Sequence, residues 1–568
     1  MKRFSGDISL VLGGAAGMGV QTVEALLVQV LKREGYNVFA SKEYMSRIRG
    51  GSNSTEIRIT DAKRAAFVKR IDFLFAMDKD VIPHLRDRIA LDTIVLGELE
   101  KLRDVSEGCH IIDVPFTRFA NELGNPIYTS TVAVGVALGL LHAEEKGLTE
   151  YLRDHFARKG EAVVAKHIEA GALGYAFGKH LAYAEGIEVI VAKRSAVAEE
   201  LLLDGTEALG LGTLSAGCNY ISSYPMSPGT GLLTFLAKHG NEFGVVVDQA
   251  EDEIAAINQG LGAWYAGARA IVTTSGGGFD LMTEGVSLAG IIETPIVVHI
   301  GQRPGPSTGL PTRTEQADLN LVLYAGHGEF PRAIFAPSTP EEAFLVAQQA
   351  FYIADKYQIP TFILTDQYFL DSVRSIPEDS LRTITRENFI IETAADYKRY
   401  AVTADGVSPR GIPGYGEGLV GIDSDEHDEE AHITESALMR VAMHEKRLRK
   451  MVGIRADALM PTERGDVKHA ETLLVSWGSN RGVMEEALEV LNTPELAGLH
   501  FHQVYPLPVK AKKLFVKKKV IVLENNAGGQ FANLLLLEYG IKVSDTVLQY
   551  DGNPFAVEDV VARLRALL

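Results

Sequence analysis

Between residues 197 and 372, short apolar runs alternate with helical patterns in a regular order. The runs fall at 220–224, 244–247, 270–273, 296–299, 333–335 and 361–364, with helical patterns between them, including 251–265 and 340–354. Strands this short and this apolar are buried on both faces. Helices between successive strands make the sheet parallel and cover it on both sides. This arrangement excludes helical bundles and all-β sandwiches for the segment. It also says where chemistry should sit, because ligands of open parallel sheets bind beyond the carboxyl ends of the strands.

The other segments read as α/β as well. A strand pattern at 8–12, the loop Gly13-Gly14-Ala15-Ala16-Gly17-Met18-Gly19, a helical pattern closed by Gly35 and a strand at 36–40 open the chain as strand, glycine loop and helix. Further strands are expected near 73–75, 93–96 and 110–114, before a helical stretch at 132–186. Residues 376–467 have weaker periodicity. A last α/β unit begins at 471–477 and closes on a helix at 556–567. The expected domains are 1–190, 197–372, a connector at 373–467, and 468–568. A chain of 568 residues is long enough for three or four such units.

Composition narrows the function. Lys plus Arg is 56 and Asp plus Glu 74, a net charge of −18. That is the wrong sign for neutralising phosphates along a nucleic acid. The two cysteines, Cys109 and Cys218, are too few to ligate an iron–sulfur cluster or an all-cysteine zinc site, and they fit a reducing cytoplasm. The apolar stretch 131–141 is too short to span a bilayer, so no membrane partner is expected. The basic, then apolar, N-terminus mimics a signal peptide, but Asp7 interrupts it and a turn follows.

Four clusters follow four successive strands. The first is Tyr224-Pro225-Met226-Ser227-Pro228, in which two prolines hold a hydroxyl in a fixed turn, or form a Pro-rich turn only. The second is Asp248-Gln249-Ala250-Glu251-Asp252-Glu253. It reads as an acidic helix start matched to the helix dipole, or as a source of one buried carboxylate that needs a partner. The third is Thr273-Thr274-Ser275-Gly276-Gly277-Gly278, glycines that admit a cofactor ring to the backbone, or a flexible turn. The fourth, Gly301-Gln302-Arg303-Pro304-Gly305, offers a rigidly placed guanidinium for a carboxylate, or for a structural ion pair. A hydroxyl, a carboxylate, a glycine platform and an arginine at one sheet edge are more specific together than any member alone.

Other motifs are weaker. The loop containing Gly17 and Gly19 is a phosphate cradle or a tight turn, and its spacing is not the dinucleotide fingerprint. Arg47 and Arg49, beside Gly50 and Gly51, suit a phosphate group, a solvated loop or a subunit contact. The acidic run from Asp423 to His432 carries donors for a divalent ion but reads better as a solvated connector, so no metal site is assigned to the chain. Lys517-Lys518-Lys519 reads as a solvated edge before a strand.

With these residues in view, the chain resembles the α subunit of 2-oxoacid:ferredoxin oxidoreductases, in the form with the γ domain fused ahead of α. The matching stretches are YPMSP, EDEIAAINQGLGAWYAGARA, TTSGGGFDLMTE and GQRPGPSTGLPT, with ENNAGGQ pointing to the 2-oxoglutarate branch. Ser227 stands where the family usually has threonine, and Met18 where its glycine loop usually has glutamine. The resemblance implies a γ-type α/β domain, a pyrimidine-binding thiamin diphosphate domain built on a doubly wound parallel sheet, and a transketolase C-terminal-like domain. It implies that Glu253, with Glu251 as the alternative register, bonds N1′ of the aminopyrimidine, and that Tyr224, Pro225, Thr274, Ser275, Gly276 and Gly277 line the cofactor. Arg303 and Ser227 would hold the 2-oxoacid, with Thr312 and Arg313 as candidates for a second carboxylate.

The chain has no Gly-Asp-Gly motif followed by an Asn-Asn-like run. A β subunit would therefore bring Mg²⁺, the diphosphate site and a [4Fe–4S] cluster, in an (αβ)₂ assembly that passes electrons to ferredoxin. Coenzyme A would take the acyl group, with Gly17, Gly19, Arg47 and Arg49 as its contacts. The implied reaction converts 2-oxoglutarate, coenzyme A and oxidised ferredoxin into succinyl-CoA, CO₂ and reduced ferredoxin, reversibly. Alternatives are the same chemistry on pyruvate or a branched or aromatic 2-oxoacid, and a non-catalytic dinucleotide-binding scaffold.

Overall fold

The computed structural model describes residues 2–45 and 51–568. They form two compact units. One comprises residues up to 203, with 371–380 and 556–558. The other comprises 204–370, 381–555 and 559–568.

In the first unit, the strands His110–Asp113, Ile94–Gly97, Phe73–Ala76 and Asp7–Ala15 lie side by side and parallel. Ser52–Thr60 follows, antiparallel to Asp7–Ala15 and to Asn37–Glu43. This strand corrects the sequence reading, which took its opening residues for part of a loop. Eight of its nine residues, all but Asn53, are buried. Ile57 and Ile59 alternate with Glu56 and Arg58, but these two polar side chains are buried in ion pairs with Arg88 and Asp7 instead of facing solvent. The expected strand–helix–strand opening is present, with this antiparallel strand inserted between its two parallel members. Residues 373–376, expected in the connector, pair antiparallel with Asn37–Glu43 and belong to this unit. Thr129–Leu140 and Glu161–Ala184 pack on each other through Gly135, Gly139, Gly174 and Gly178. A Cβ at any of these would meet the facing backbone, so their absence lets the two helices touch main chain to main chain.

The second unit holds the sheet expected from the alternation. Its order is Val246–Gln249, Tyr220–Ser223, Ala270–Ser275, Ile296–Gln302, Pro360–Asp366, Ala333–Phe335, all parallel, then Gln503–Tyr505, antiparallel. The chain runs outward one way from Tyr220–Ser223 and the other way from Ala270–Ser275, so the topological switch lies between those two strands. A second sheet orders Thr462–Arg464, Leu496–Phe501, Thr472–Trp477, Lys519–Glu524 and Asp545–Leu548, parallel except at its first strand.

The segment between the two sheets is tied down by buried charge. Lys446 and Lys450, on the helix Ala437–Ala456, reach Glu293 at 2.8 and 2.6 Å, all three almost wholly buried. Arg399 donates to the Glu293 carbonyl at 2.6 Å. The acidic run serves the same anchoring. Glu426 accepts from Arg440 at 2.6 Å and Arg447 at 2.8 Å, and Asp428 closes a turn on the Glu430 and His432 amides. No group of three metal-capable side chains occurs among the described residues. The lysine run is also structural. Lys518 donates to Lys468 and Ala470 carbonyls and Lys519 to that of Leu567. Both cysteines are free, and no helix among the described residues is long and apolar enough to cross a membrane.

Candidate active site

The four clusters converge at the carboxyl edge of the larger sheet, beside the topological switch. Asp252 caps the helix Glu253–Tyr265 by accepting the Ala255 amide at 2.7 Å. The residue after the cap turns inward, so Glu253 is 3% exposed while Glu251 lies in solvent. Small residues let this helix lie close to the sheet: a Cβ on Gly260 would reach Val272 and Ile296. One face of this helix is buried, and it carries Glu253 but not Glu251.

The glycine turn is tighter than a flexible loop. Gly276, Gly277 and Gly278 form the first turn of the helix Gly276–Ile291, with Ser275 as N-cap. A Cβ at Gly278 would collide with Thr274 Oγ1 and stand 2.6 Å from Glu253 Oε1, and one at Gly276 would collide with Asp318. Glycine is required here because carboxyl groups close over the backbone on both sides. Thr274 and Ser275 are fully buried, and Tyr224 is 39% exposed beside half-buried Pro225.

Arg303 is 9% exposed and donates through Nη1 to the Ser227 carbonyl at 2.7 Å, which joins the first and fourth clusters. Burial lowers its pKa, against the charge of Asp318. The Ser227 side chain is exposed, on the turn between Tyr224 and Pro228. Thr312 and Arg313 lie further along the same loop, where Arg313 packs against Gly552.

Four buried polar atoms of this edge have no hydrogen-bond partner among the described residues: Glu253 Oε1, Ser275 Oγ, Arg303 Nε and Asp318 Oδ2. Buried polar groups are paired in the great majority of cases, so orphans clustered around a glycine platform mark a site built for a ligand. His299, on the strand ending at Gln302, is by contrast satisfied on both nitrogens, by Thr273 and Thr365 at 2.8 Å each. Burial pushes its pKa down to about 3, so it is a neutral core residue.

The sequence reading missed what holds the loop after Arg303. Gln316 is fully buried and donates to the Trp477 carbonyl at 2.9 Å. It accepts from Asn480 at 2.6 Å and from the Asn525 amide at 3.1 Å. Gln530 donates to the Ala317 carbonyl at 2.7 Å and accepts from the Asn320 amide at 2.8 Å. The ENNAGGQ stretch thus clasps the loop that carries Asp318. The stretch was visible as a motif, but its partner lies some 210 residues away and leaves no local trace.

In the first unit, Gly17 and Gly19, both at positive φ, line a cavity of about 550 Å³ at the start of the helix Val20–Arg33. Lys101, Lys159 and Ser130 also face it, with His167, which stacks on Phe156 at 3.6 Å. Burial pushes the His167 pKa down to about 4. Arg47 and Arg49 lie outside the described residues.

Comparison with known proteins gives this geometry a context. Residues 211–447 match the family described as pyruvate flavodoxin/ferredoxin oxidoreductase, thiamine diphosphate-binding, and residues 9–177 match pyruvate ferredoxin/flavodoxin oxidoreductase. The chain is 30% identical to the α subunit of 2-oxoacid:ferredoxin oxidoreductase 2 from Aeropyrum pernix, over 99% of this chain and 98% of that one. It belongs to the α subunits of 2-oxoacid:ferredoxin oxidoreductases. The 2-oxoglutarate synthase subunit KorA of Methanocaldococcus jannaschii is 33% identical over 57% of this chain and 88% of its own. The solved 2-oxoglutarate:ferredoxin oxidoreductase of Magnetococcus marinus, with 2-oxoglutarate, coenzyme A and succinyl-CoA bound, matches 99% of both chains with a TM-score of 0.90 at 29% identity. The expected family and fold class are therefore correct, and the chain is one subunit of a heteromeric oxidoreductase.

Proposed function

We propose that this α subunit serves a reversible 2-oxoglutarate:ferredoxin oxidoreductase, which forms succinyl-CoA, CO₂ and reduced ferredoxin. The observation that carries the reading is the set of orphaned buried polar atoms around the glycine turn, led by Glu253 Oε1 and Arg303 Nε. The choice of 2-oxoglutarate is supported by the Magnetococcus marinus enzyme and the KorA relatives.

The residues present fit thiamin diphosphate. A cradle that a Cβ would fill lies at Gly278, and an unpaired buried carboxylate oxygen faces it. When bound, the cofactor supplies a nucleophilic carbon for the keto group and an electron sink for loss of CO₂. The chain's own residues prepare both events. Glu253 holds a proton at N1′ of the aminopyrimidine, and its burial makes that hydrogen bond strong. Thr274, Ser275, Gly276 and Gly277 bring backbone against the ring, with Tyr224 and Pro225 on the facing turn. Arg303 grips the substrate's carboxylate by charge-assisted hydrogen bonds, oriented by its tie to the Ser227 carbonyl. The Ser227 hydroxyl adds a contact, and Thr312 and Arg313 serve the second carboxylate.

Coenzyme A is assigned to the cavity of the first unit. The amides at Gly17 and Gly19, the helix N-terminus and Lys101 and Lys159 suit its phosphates. Mg²⁺, the diphosphate contacts and the [4Fe–4S] cluster belong to a β subunit in an (αβ)₂ assembly, in the cytoplasm. The test is co-expression with the neighbouring β subunit and an assay of viologen reduction with 2-oxoglutarate, pyruvate and branched or aromatic 2-oxoacids plus coenzyme A. The expected result is a kcat/KM highest for 2-oxoglutarate. A higher value for another acid overturns the substrate, and no turnover of any overturns the reading.

A further inference from the structure

We propose that Asp318 is a further substrate-binding residue, a carboxyl that when neutral donates its proton to the anionic end of the 2-oxoacid and when ionised contends with that anion for Arg303. The inference rests on the assignment of Arg303 as the substrate's carboxylate anchor.

The geometry comes first. Asp318 Oδ2 is buried, has no hydrogen-bond partner among the described residues and closes over Gly276, the residue that opens the cofactor-side turn. Arg303 Nε is orphaned at the same edge. Asp318 closes over the glycine turn and Arg303 lies at the end of the strand Ile296–Gln302, and each keeps an unsatisfied buried atom that a third polar group could meet. The Asp318 main chain cannot drift toward Arg303 to quench the pair. Its amide donates to Gln302 Oε1 at 3.1 Å, and the residues on either side are held by Gln530 through Ala317 and Asn320. A carboxyl placed on a loop clasped this firmly is preorganised rather than adaptable.

Its charge environment makes the neutral form available at ordinary pH. The charged groups facing it are Asp280 on the helix Gly276–Ile291, Glu315 on its own loop and Arg303 at the strand end, with Glu253 across the glycine turn. Burial, then the charges of Asp280 and Glu315, push its pKa up to about 7 against the opposing pull of Arg303. Above that pH an added carboxylate meets a second negative charge and a partly neutralised Arg303. Below it, the anion meets a donor and an unshared cation. If binding needs the neutral form, apparent affinity scales with the neutral fraction, and KM rises about tenfold from pH 6 to pH 8.

The experiment uses the assembled αβ complex and the 2-oxoacid it turns over best. Arg303→Ala is measured first. An unchanged KM there overturns the anchor on which this inference rests. With the anchor intact, wild type is expected to show the rise in KM between pH 6 and 8. Asp318→Asn, which keeps shape and a donor but cannot ionise, is expected to flatten it, while Glu315→Gln keeps it. A pH-independent wild-type KM, an Asp318→Asn profile like wild type, or a profile flattened by Glu315→Gln instead overturns the role of Asp318. A second measurement needs no variant. Calorimetry of wild type with an unreactive analogue, N-oxalylglycine for 2-oxoglutarate or oxamate for pyruvate, is run in buffers of different ionisation enthalpy. Proton uptake approaching one per site at pH 8 and vanishing at pH 6 is expected. No uptake at pH 8 overturns the proposal.

Discussion

Replacing Glu253 by glutamine separates a catalytic carboxylate from a structural one. Glu253 is 3% exposed and its Oε1 has no hydrogen-bond partner among the described residues. A structural carboxylate repays its burial through ion pairs or hydrogen bonds, and its loss destabilises. An unpaired one costs stability in the cofactor-free protein, because leaving a buried polar group unsatisfied costs about 1–3 kcal/mol, and more when it is charged. Glutamine has nearly the same shape, and a neutral amide is cheaper to bury. Glu253→Gln is therefore expected to leave the cofactor-free chain as stable as wild type or raise its melting temperature by a few degrees, at about 2–4 °C per kcal/mol for domains of 150–250 residues. Turnover of the assembled complex is expected to fall by roughly 10²–10⁴, the usual worth of a positioned acid–base group. Glu251→Gln, two positions back and solvated, is expected to change stability by less than about 0.5 kcal/mol and turnover by less than twofold. The assays are thermal unfolding of the cofactor-free chain, steady-state turnover, and exchange of the C2 proton of bound thiamin diphosphate into deuterium oxide. Exchange abolished by Glu251→Gln but not by Glu253→Gln would move the register by two residues. Unchanged exchange in both would refute the activating role of this helix.

Arg303→Ala should raise KM for the 2-oxoacid about 10–150-fold, the equivalent of 1.5–3 kcal/mol for a charge-assisted contact, with thiamin diphosphate affinity unchanged by titration. Gly278→Ala places a methyl against Thr274 Oγ1 and Glu253, so fluorescence titration should show thiamin diphosphate affinity reduced more than tenfold in a chain that still folds. Glu293→Gln strands Lys446 and Lys450 in the interior and should cost about 3–5 kcal/mol in denaturant unfolding. The lysine charges hold the Glu293 pKa down to about 2, so its contribution is complete above about pH 4.5 and lost as pH falls toward 2. Wild type should lose this part of its stability over that window, and Glu293→Gln should not.

Local pattern carried the parallel sheet and the edge at which its candidate site lies. Short apolar strands separated by helices leave one layered solution, and the rule that ligands gather at strand carboxyl ends then pointed to the Ser227 turn, the acidic helix start, the glycine turn and Arg303. Three matters were beyond it. Which acid of Glu251, Asp252 and Glu253 turns inward is decided by the elements the helix packs on. The burial of Ser52–Thr60 at the centre of its sheet depends on strands that flank it from elsewhere in the chain, and its alternation of Ile57 and Ile59 with Glu56 and Arg58 does not show that those charges are buried against Arg88 and Asp7. The loop that carries Asp318 is held by Gln530 from some 210 residues away. Periodicity reports how a segment faces solvent and core. Which groups from distant segments meet inside that core, and which buried atoms are left without a partner, is set only when the tertiary structure closes.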